Sequence, residues 1–170
     1  MAARGLAISN NRRSFLFLLG TTTVVPVLAA FGSSPTQAKV RTWPKGLTDA
    51  RWKAKLSKNQ YWMLRQAGTE RPGASPLNKE HRKGTFLCAG CNNALYSSAT
   101  KFESGTGWPS FWQPLPRAIL TDVDYKIGTP RTEALCADCG GHLGHVFTDG
   151  PKPTGKRYCM NGGAMIFRAA

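Results

Sequence analysis

The chain has 170 residues, a length that fits one domain, and 41% of them are hydrophobic against 19% charged, which excludes a disordered polypeptide. Its net charge is +14. Three of the positives, Arg4, Arg12 and Arg13, lie in a leading segment that holds none of the nine acids, so the rest carries about +11. Such a surface favours acidic partners or serves solubility alone. No basic run is interleaved with aromatic residues as a nucleic-acid groove requires, so no nucleic acid is expected as a partner.

Residues 1–38 read as an export signal. Basic residues precede an apolar stretch from Phe15 to Phe31, and Thr36-Gln37-Ala38 before Lys39 suits signal peptidase. Gly20 and Thr21 to Thr23 dilute the stretch, which is short for a stable span, so no stable membrane insertion is expected. Arg12-Arg13 followed by Ser14-Phe15-Leu16 resembles the twin-arginine motif, a route that carries folded chains with their metal aboard. An ordinary secretory signal and an uncleaved anchor are the alternatives. The expected location is the bacterial periplasm, and the expected mature domain is 39–170.

Thr48 to Ala67 has helical periodicity, with Leu56, Gln60, Met63 and Ala67 on one face and Gly68 as the stop. Residues 69–84 read as a polar connector. Short strands follow at Thr85 to Leu87, Ala94 to Tyr96, Ile119 to Val123, Arg131 to Leu135, His145 to Phe147, Arg157 to Met160 and Ala164 to Arg168. The pattern predicts a mainly β, mostly antiparallel domain with small helices in front.

Five cysteines are present, an odd number. Cys88-Ala-Gly-Cys91 and Cys136-Ala-Asp-Cys139 form two C-x-x-C pairs. Each presents two thiolates from one tight turn, and two such turns complete the tetrahedral shell of one Zn2+. Gly90 and Gly140-Gly141 are expected to ease these turns. A shell of four thiolates has no open position, so the metal is read as structural, one per chain. Two disulfides are the alternative in an oxidising compartment, although each would close a very short loop. A redox-active pair is a third possibility.

Cys159 is left over. Alone, a cysteine is more often a buried core residue than a nucleophile. Arg157 and Asn161 flank it at a spacing of two, on the same side of a strand. A guanidinium beside a thiol favours the nucleophilic thiolate, and an amide can bind a polar substrate group. A glycine-rich turn with two histidines (141–147) and an aromatic stretch, Gly107-Trp108-Pro109-Ser110-Phe111-Trp112, add a proton donor and an apolar wall.

Four blocks resemble the signature blocks of the B-type methionine-sulfoxide reductases. They are Thr69-Glu70-Arg71-Pro72, the run from Lys101 to Phe111, the run from Gly141 to Pro151, and Arg157-Tyr158-Cys159-Met160-Asn161. The likeness runs from about Leu47 to Phe167, and the four paired cysteines fall where zinc-bearing members have theirs. It implies two antiparallel sheets with N-terminal helices, and reduction of the R epimer of methionine sulfoxide in oxidised proteins and peptides. It implies that Cys159 is the nucleophile and that Trp108 cradles the methyl group. It further implies that His145 and Asn161, with a water, handle the oxygen, while His142, Asp149 and Arg157 surround the site. Read from the residues alone, His142 and Asp149 could be turn residues, Arg157 a surface cation and Trp108 a core aromatic. Phe147 and Glu103 are weaker candidates, and Trp43, Trp52 and Trp62 read as packing or surface.

Two departures stand out. Many members carry a resolving cysteine where this chain has Thr106, so an external thiol donor is expected to recycle Cys159: a thioredoxin-like, glutaredoxin-like or other periplasmic one. Relatives usually have Ser or Ala where this chain has Gly162-Gly163, which suggests a looser strand end after Cys159. A monomer is expected. Two other classes compete: a basic zinc module that binds an acidic partner, which leaves Cys159 unexplained, and a thiol-disulfide protein working through a C-x-x-C.

Overall fold

A computed structural model describes residues 41–170. The segment read as an export signal, with its twin-arginine motif and cleavage point, lies outside the described residues.

Two helices come first, α1 (Asp49–Lys55) and α2 (Lys58–Gln66), where the periodicity predicted one. The break has a local cause. Ser57 is a helix cap: its side chain accepts from the N–H of Gln60 at 3.2 Å, and the Gln60 side chain accepts from the N–H of Ser57 at 3.1 Å. Leu56 is therefore pulled into an extended conformation, yet it still buries its side chain. Ala67 itself takes the left-handed position that ends α2, with φ 50°. Gly68 is needed for another reason. A Cβ there would stand 2.4 Å from the ring of Trp62. The connector after α2 holds one 3-10 turn, Pro76–Lys79, capped by the Ser75 hydroxyl.

Nine strands follow: β1 (Gly84–Cys88), β2 (Ala94–Ser97), β3 (Lys101–Phe102), β4 (Ser110–Phe111), β5 (Ile119–Asp124), β6 (Arg131–Cys136), β7 (His142–Phe147), β8 (Arg157–Met160) and β9 (Met165–Ala169). All seven predicted strands are present, Arg157–Met160 with the same bounds and the others with shifted ends. The two-residue strands β3 and β4 carry too little alternation to be read from sequence. The pairing is antiparallel throughout, in a three-stranded sheet ordered β2-β1-β9 and a six-stranded sheet ordered β3-β4-β8-β7-β6-β5. Both sheets feed one core. Phe86 and Tyr96 from the first meet Phe111, Leu143, Tyr158 and Met160 from the second, and Trp52, Met63 and Leu64 close it from the helices. Tyr96 stacks on Phe111 with centroids 4.2 Å apart, and Phe86 meets Phe111 edge-on at 4.9 Å. No helix among the described residues is long and apolar enough to cross a membrane.

One irregularity shapes the site. In the pairing of β6 with β7, Ala134 faces Gly144 while Leu135 faces His142, so Leu143 is an extra residue. The bulge reverses the alternation. It turns Leu143 into the core and brings His142 and His145, three apart in sequence, to one side with ring centroids 5.3 Å apart.

Candidate active site and metal cluster

Cys88 ends β1 and Cys91 lies in the turn after it. Cys136 ends β6 and Cys139 lies in the turn before β7. The two knuckles thus hang from different sheets. Their four sulfurs lie within 4.8 Å of one another, with Cys88 to Cys139 at 3.7 Å and Cys91 to Cys136 at 3.5 Å across the knuckles. Four thiolates about 2.3 Å from one tetrahedral ion stand about 3.8 Å apart, so the spacing suits a metal, whereas a disulfide needs about 2.05 Å. All four cysteines are free thiols. The cluster is able to hold a metal ion. Gly140 has φ +69° and lies against Trp43, as a tight knuckle requires, but Gly90 has no such conformation; Asn92 takes the left-handed position instead, at φ 62°.

Cys159 sits mid-sheet. It pairs with Ser110 of β4 on one side and His145 of β7 on the other, and His145 pairs with Glu133 of β6. Paired residues of an antiparallel sheet point to one face, so Ser110, Cys159, His145 and Glu133 form a single row. The close approach of β7 to β8 depends on Gly144, where a Cβ would stand 2.1 Å from the carbonyl oxygen of Cys159. Beside the row opens a pocket of about 130 Å³ lined by Thr69, Trp108, Arg131, Gly144, His145, Phe147, Cys159 and Asn161. Its size suits one small side chain rather than a large ligand. A larger hollow of about 480 Å³ lies beyond Glu70, against Trp62, Met63 and Ser75, and contains none of these groups.

Of the expected site residues, Cys159, His145, Asn161, Trp108 and Phe147 meet in the pocket wall. His142, Asp149 and Arg157 do not line the pocket but stand around it, each bound to a neighbour, and Arg157 also acts on Cys159. His142 is buried behind His145 with its Nδ1 2.5 Å from Glu133. Arg157 donates to both carboxylate oxygens of Asp149, at 2.9 and 2.8 Å, and lies 4.3 Å from the centre of the Phe147 ring. That pairing raises Arg157 above the usual guanidinium value and lowers Asp149 below the usual carboxylate value. Asn161 uses its amide on the backbone: Oδ1 accepts from the N–H of Glu70 and Nδ2 donates to the carbonyl of Gly68, both at 3.0 Å.

Four residues of the site carried no role in the sequence reading. Asp124 ends β5 and lies 2.7 Å from His145 Nε2, and Arg131 donates to the same carboxylate oxygen at 2.6 Å. Asp124 is held well below the usual carboxylate range, first by the backbone N–H of Lys126, then by His145 and Arg131. Burial pushes His145 below the usual imidazole value, against the opposing pull of Asp124. The spacing Asp122-x-Asp124 and Arg131-x-Glu133 was a readable signal, since it places charge on one face of a hairpin. Thr69 lines the pocket.

Glu70 is the fourth. Its carboxylate accepts from the N–H groups of Gly162 and Gly163, its carbonyl accepts from Trp108 Nε1 at 3.1 Å, and its own N–H holds Asn161. Gly162 and Gly163 therefore form a clamped 3-10 turn and not a loosened strand end; a Cβ on Gly162 would meet the Ser75 hydroxyl at 2.1 Å. Thr106 Oγ1 lies 3.8 Å from the sulfur of Cys159 and bonds Ser104, which bonds the buried Ser110.

The SelR domain model matches residues 56–169. A peptide methionine sulfoxide reductase MsrB of Leptospira interrogans is 51% identical over 122 residues, 71% of this chain and 93% of the relative. A protein of the same name from Agrobacterium fabrum is 50% identical over 121 residues, 71% and 90% of the two chains. The chloroplastic peptide methionine sulfoxide reductase B1 of Arabidopsis thaliana is 39% identical over 173 aligned residues, covering 99% of this chain and 81% of the relative.

Proposed function

The chain belongs to the SelR-domain family, the B-type peptide methionine sulfoxide reductases, and we propose on that footing that Cys159 is its nucleophile, with Trp108 and Phe147 receiving the substrate methyl group. The enzyme reduces the R epimer of methionine sulfoxide in polypeptides and so repairs oxidised proteins. One observation carries the assignment of roles. Cys159 and His145 stand opposite each other across β7 and β8, at the mouth of a pocket whose indole wall is pinned by Glu70.

The steps follow from that geometry. The thiolate of Cys159 attacks the sulfoxide sulfur. His145, whose Nε2 is held by Asp124, presents Nδ1 as the proton donor to the sulfoxide oxygen. The protonated oxygen passes from the substrate sulfur to Cys159, so the sulfur–oxygen bond and the sulfur–sulfur bond made by the attack both break, methionine leaves with the electron pair, and Cys159 is left as sulfenic acid. Asn161 keeps one N–H for the oxygen and otherwise fixes the 68–70 wall. Arg157 and Asp149 act at one remove by backing Phe147, and His142 by holding Glu133 beside His145.

Cys159 has no cysteine beside it, since the chain's other four form the metal cluster and Thr106 occupies the neighbouring position. An external thiol, thioredoxin-like or glutaredoxin-like, condenses with the sulfenic acid, releases water and leaves a mixed disulfide; a second thiol then frees Cys159. Cys88, Cys91, Cys136 and Cys139 would hold one structural Zn2+, and a shell of four thiolates would leave no position for substrate. A monomer is the proposed state, to be checked by the sedimentation of the purified protein. The twin-arginine pattern at Arg12-Arg13 supports export to the periplasm, and replacing both arginines by lysine should retain the protein in the cytoplasm in a fractionation assay.

The test of function is turnover of a peptide carrying resolved R- or S-methionine sulfoxide, with dithiothreitol as reductant. Wild type should reduce only the R epimer, and Cys159→Ser should reduce neither. Turnover by the variant would reject the assignment of Cys159.

A further inference from the structure

Four of the six exposed large apolar side chains among the described residues fall within eight positions of the β5–β6 hairpin: Leu120, Val123, Tyr125 and Ile127. Leu120 and Val123 point to opposite faces of β5, whereas Tyr125 and Ile127, just beyond its end, are the most exposed of the four. The hairpin adjoins the pocket at two points. Asp124, next to Tyr125, holds His145 at 2.7 Å. Lys126, on the other side of Tyr125, donates from Nζ to the carbonyls of Gln66 and Ala67, at 3.2 and 2.9 Å, just before the wall formed by Thr69. Tyr125 and Ile127 are 66% and 63% exposed at this junction. β5 is also the last strand of its sheet, and among the described residues no strand pairs with its outer edge, along which an extended chain can run.

We propose that Tyr125 and Ile127 form a subsite, continuous with the Cys159 pocket, for an apolar residue flanking the methionine sulfoxide in an extended polypeptide. The pocket itself admits only one small side chain, so affinity for a polypeptide has to come from outside it. At about 3.3 Å per residue, a flank two or three positions from the sulfoxide spans about 7–10 Å. The occupant is unfolded, oxidised polypeptide, whose apolar side chains are uncovered. The inference rests on the reductase reading of the pocket.

The experiment compares Tyr125→Ser/Ile127→Ser with wild type on three substrates, with dithiothreitol as reductant: N-acetyl-methionine-R-sulfoxide, a peptide with Leu or Phe flanking the sulfoxide, and the same peptide with Ser flanks. The expected result is an unchanged kcat on all three, with KM raised roughly tenfold for the apolar-flanked peptide alone, the scale of losing one buried apolar side chain. An equal rise on all three substrates, or no rise on the apolar peptide, would overturn the subsite. A loss seen only when a protein thiol donor replaces dithiothreitol would assign the hairpin to the reductant and also overturn it. Wild-type inactivity on N-acetyl-methionine-R-sulfoxide would count against the reductase reading instead.

Discussion

His145 Nε2 lies 2.7 Å from Asp124 Oδ2, and the same oxygen takes a hydrogen bond from Arg131. The carboxylate is held ionised, so the neutral imidazole carries its proton on Nε2 and leaves Nδ1 for substrate. Acid catalysis needs the imidazolium, which burial disfavours.

The sign of the pH dependence follows. With its value pushed below the ordinary figure of about 6.5, His145 loses its proton as pH rises through the acid side of neutrality, and the chemical step should slow. Single-turnover rates with excess enzyme should therefore fall from pH 5.5 to pH 8. Asp124→Asn removes the charge that favours the imidazolium, so its fall should begin at lower pH. A rate flat over that range in both proteins would remove His145 from the proton transfer.

Glu70→Ala leaves the N–H groups of Gly162 and Gly163 without their acceptor, at a cost of about 1–3 kcal/mol for each that stays buried. Tm should drop by several degrees. The same change frees the strand end after Cys159, so kcat/KM should fall about tenfold or more while bound metal is retained. Metal analysis and kinetics on the same sample check both.

The two glycines of the clamped turn should respond differently. Gly162→Ala places a Cβ 2.1 Å from Oγ of the buried Ser75, whereas Gly163→Ala meets the terminal methyl of Met63 at 2.4 Å, which a flexible side chain can move away. Overpacking at Gly162 should cost about 1–3 kcal/mol and Gly163→Ala less than half as much. Denaturant titration would show the order.

Thr106→Cys puts a thiol where Oγ1 now stands, 3.8 Å from the sulfur of Cys159. One turnover without reductant should then consume two thiols per methionine formed, against one in wild type. Thiol titration after stoichiometric reaction distinguishes them.

Cys91→Ser should abolish stoichiometric zinc, and the apo protein should melt well below the wild type, since binding energy at a structural site is folding energy. Elemental analysis with a thermal melt is sufficient. Zinc retained at one per chain would rule out this cluster as the site.

Cys159 was legible as the odd cysteine, and the metal cluster as two C-x-x-C pairs, because both signals are local. The break between α1 and α2 was equally local, written in Ser57-Lys58-Asn59-Gln60, but the longer periodicity overrode it. Glu70 was not legible as a clamp, because it acts on Gly162, 92 residues away, through backbone groups that carry no side-chain signature. The approach of His142 to His145 depends on the bulge at Leu143, which no alternation pattern announces.

The metal knuckles hang from different sheets, so an ion held between them is a rivet through two plates. Cys88, Cys136 and Cys139 are buried, so complete release to a strong chelator requires the plates to part. The release rate is therefore a clock for the opening of the core, and substitutions that loosen Phe86 or Tyr96 against Phe111 should speed that clock before they alter the shape of the pocket.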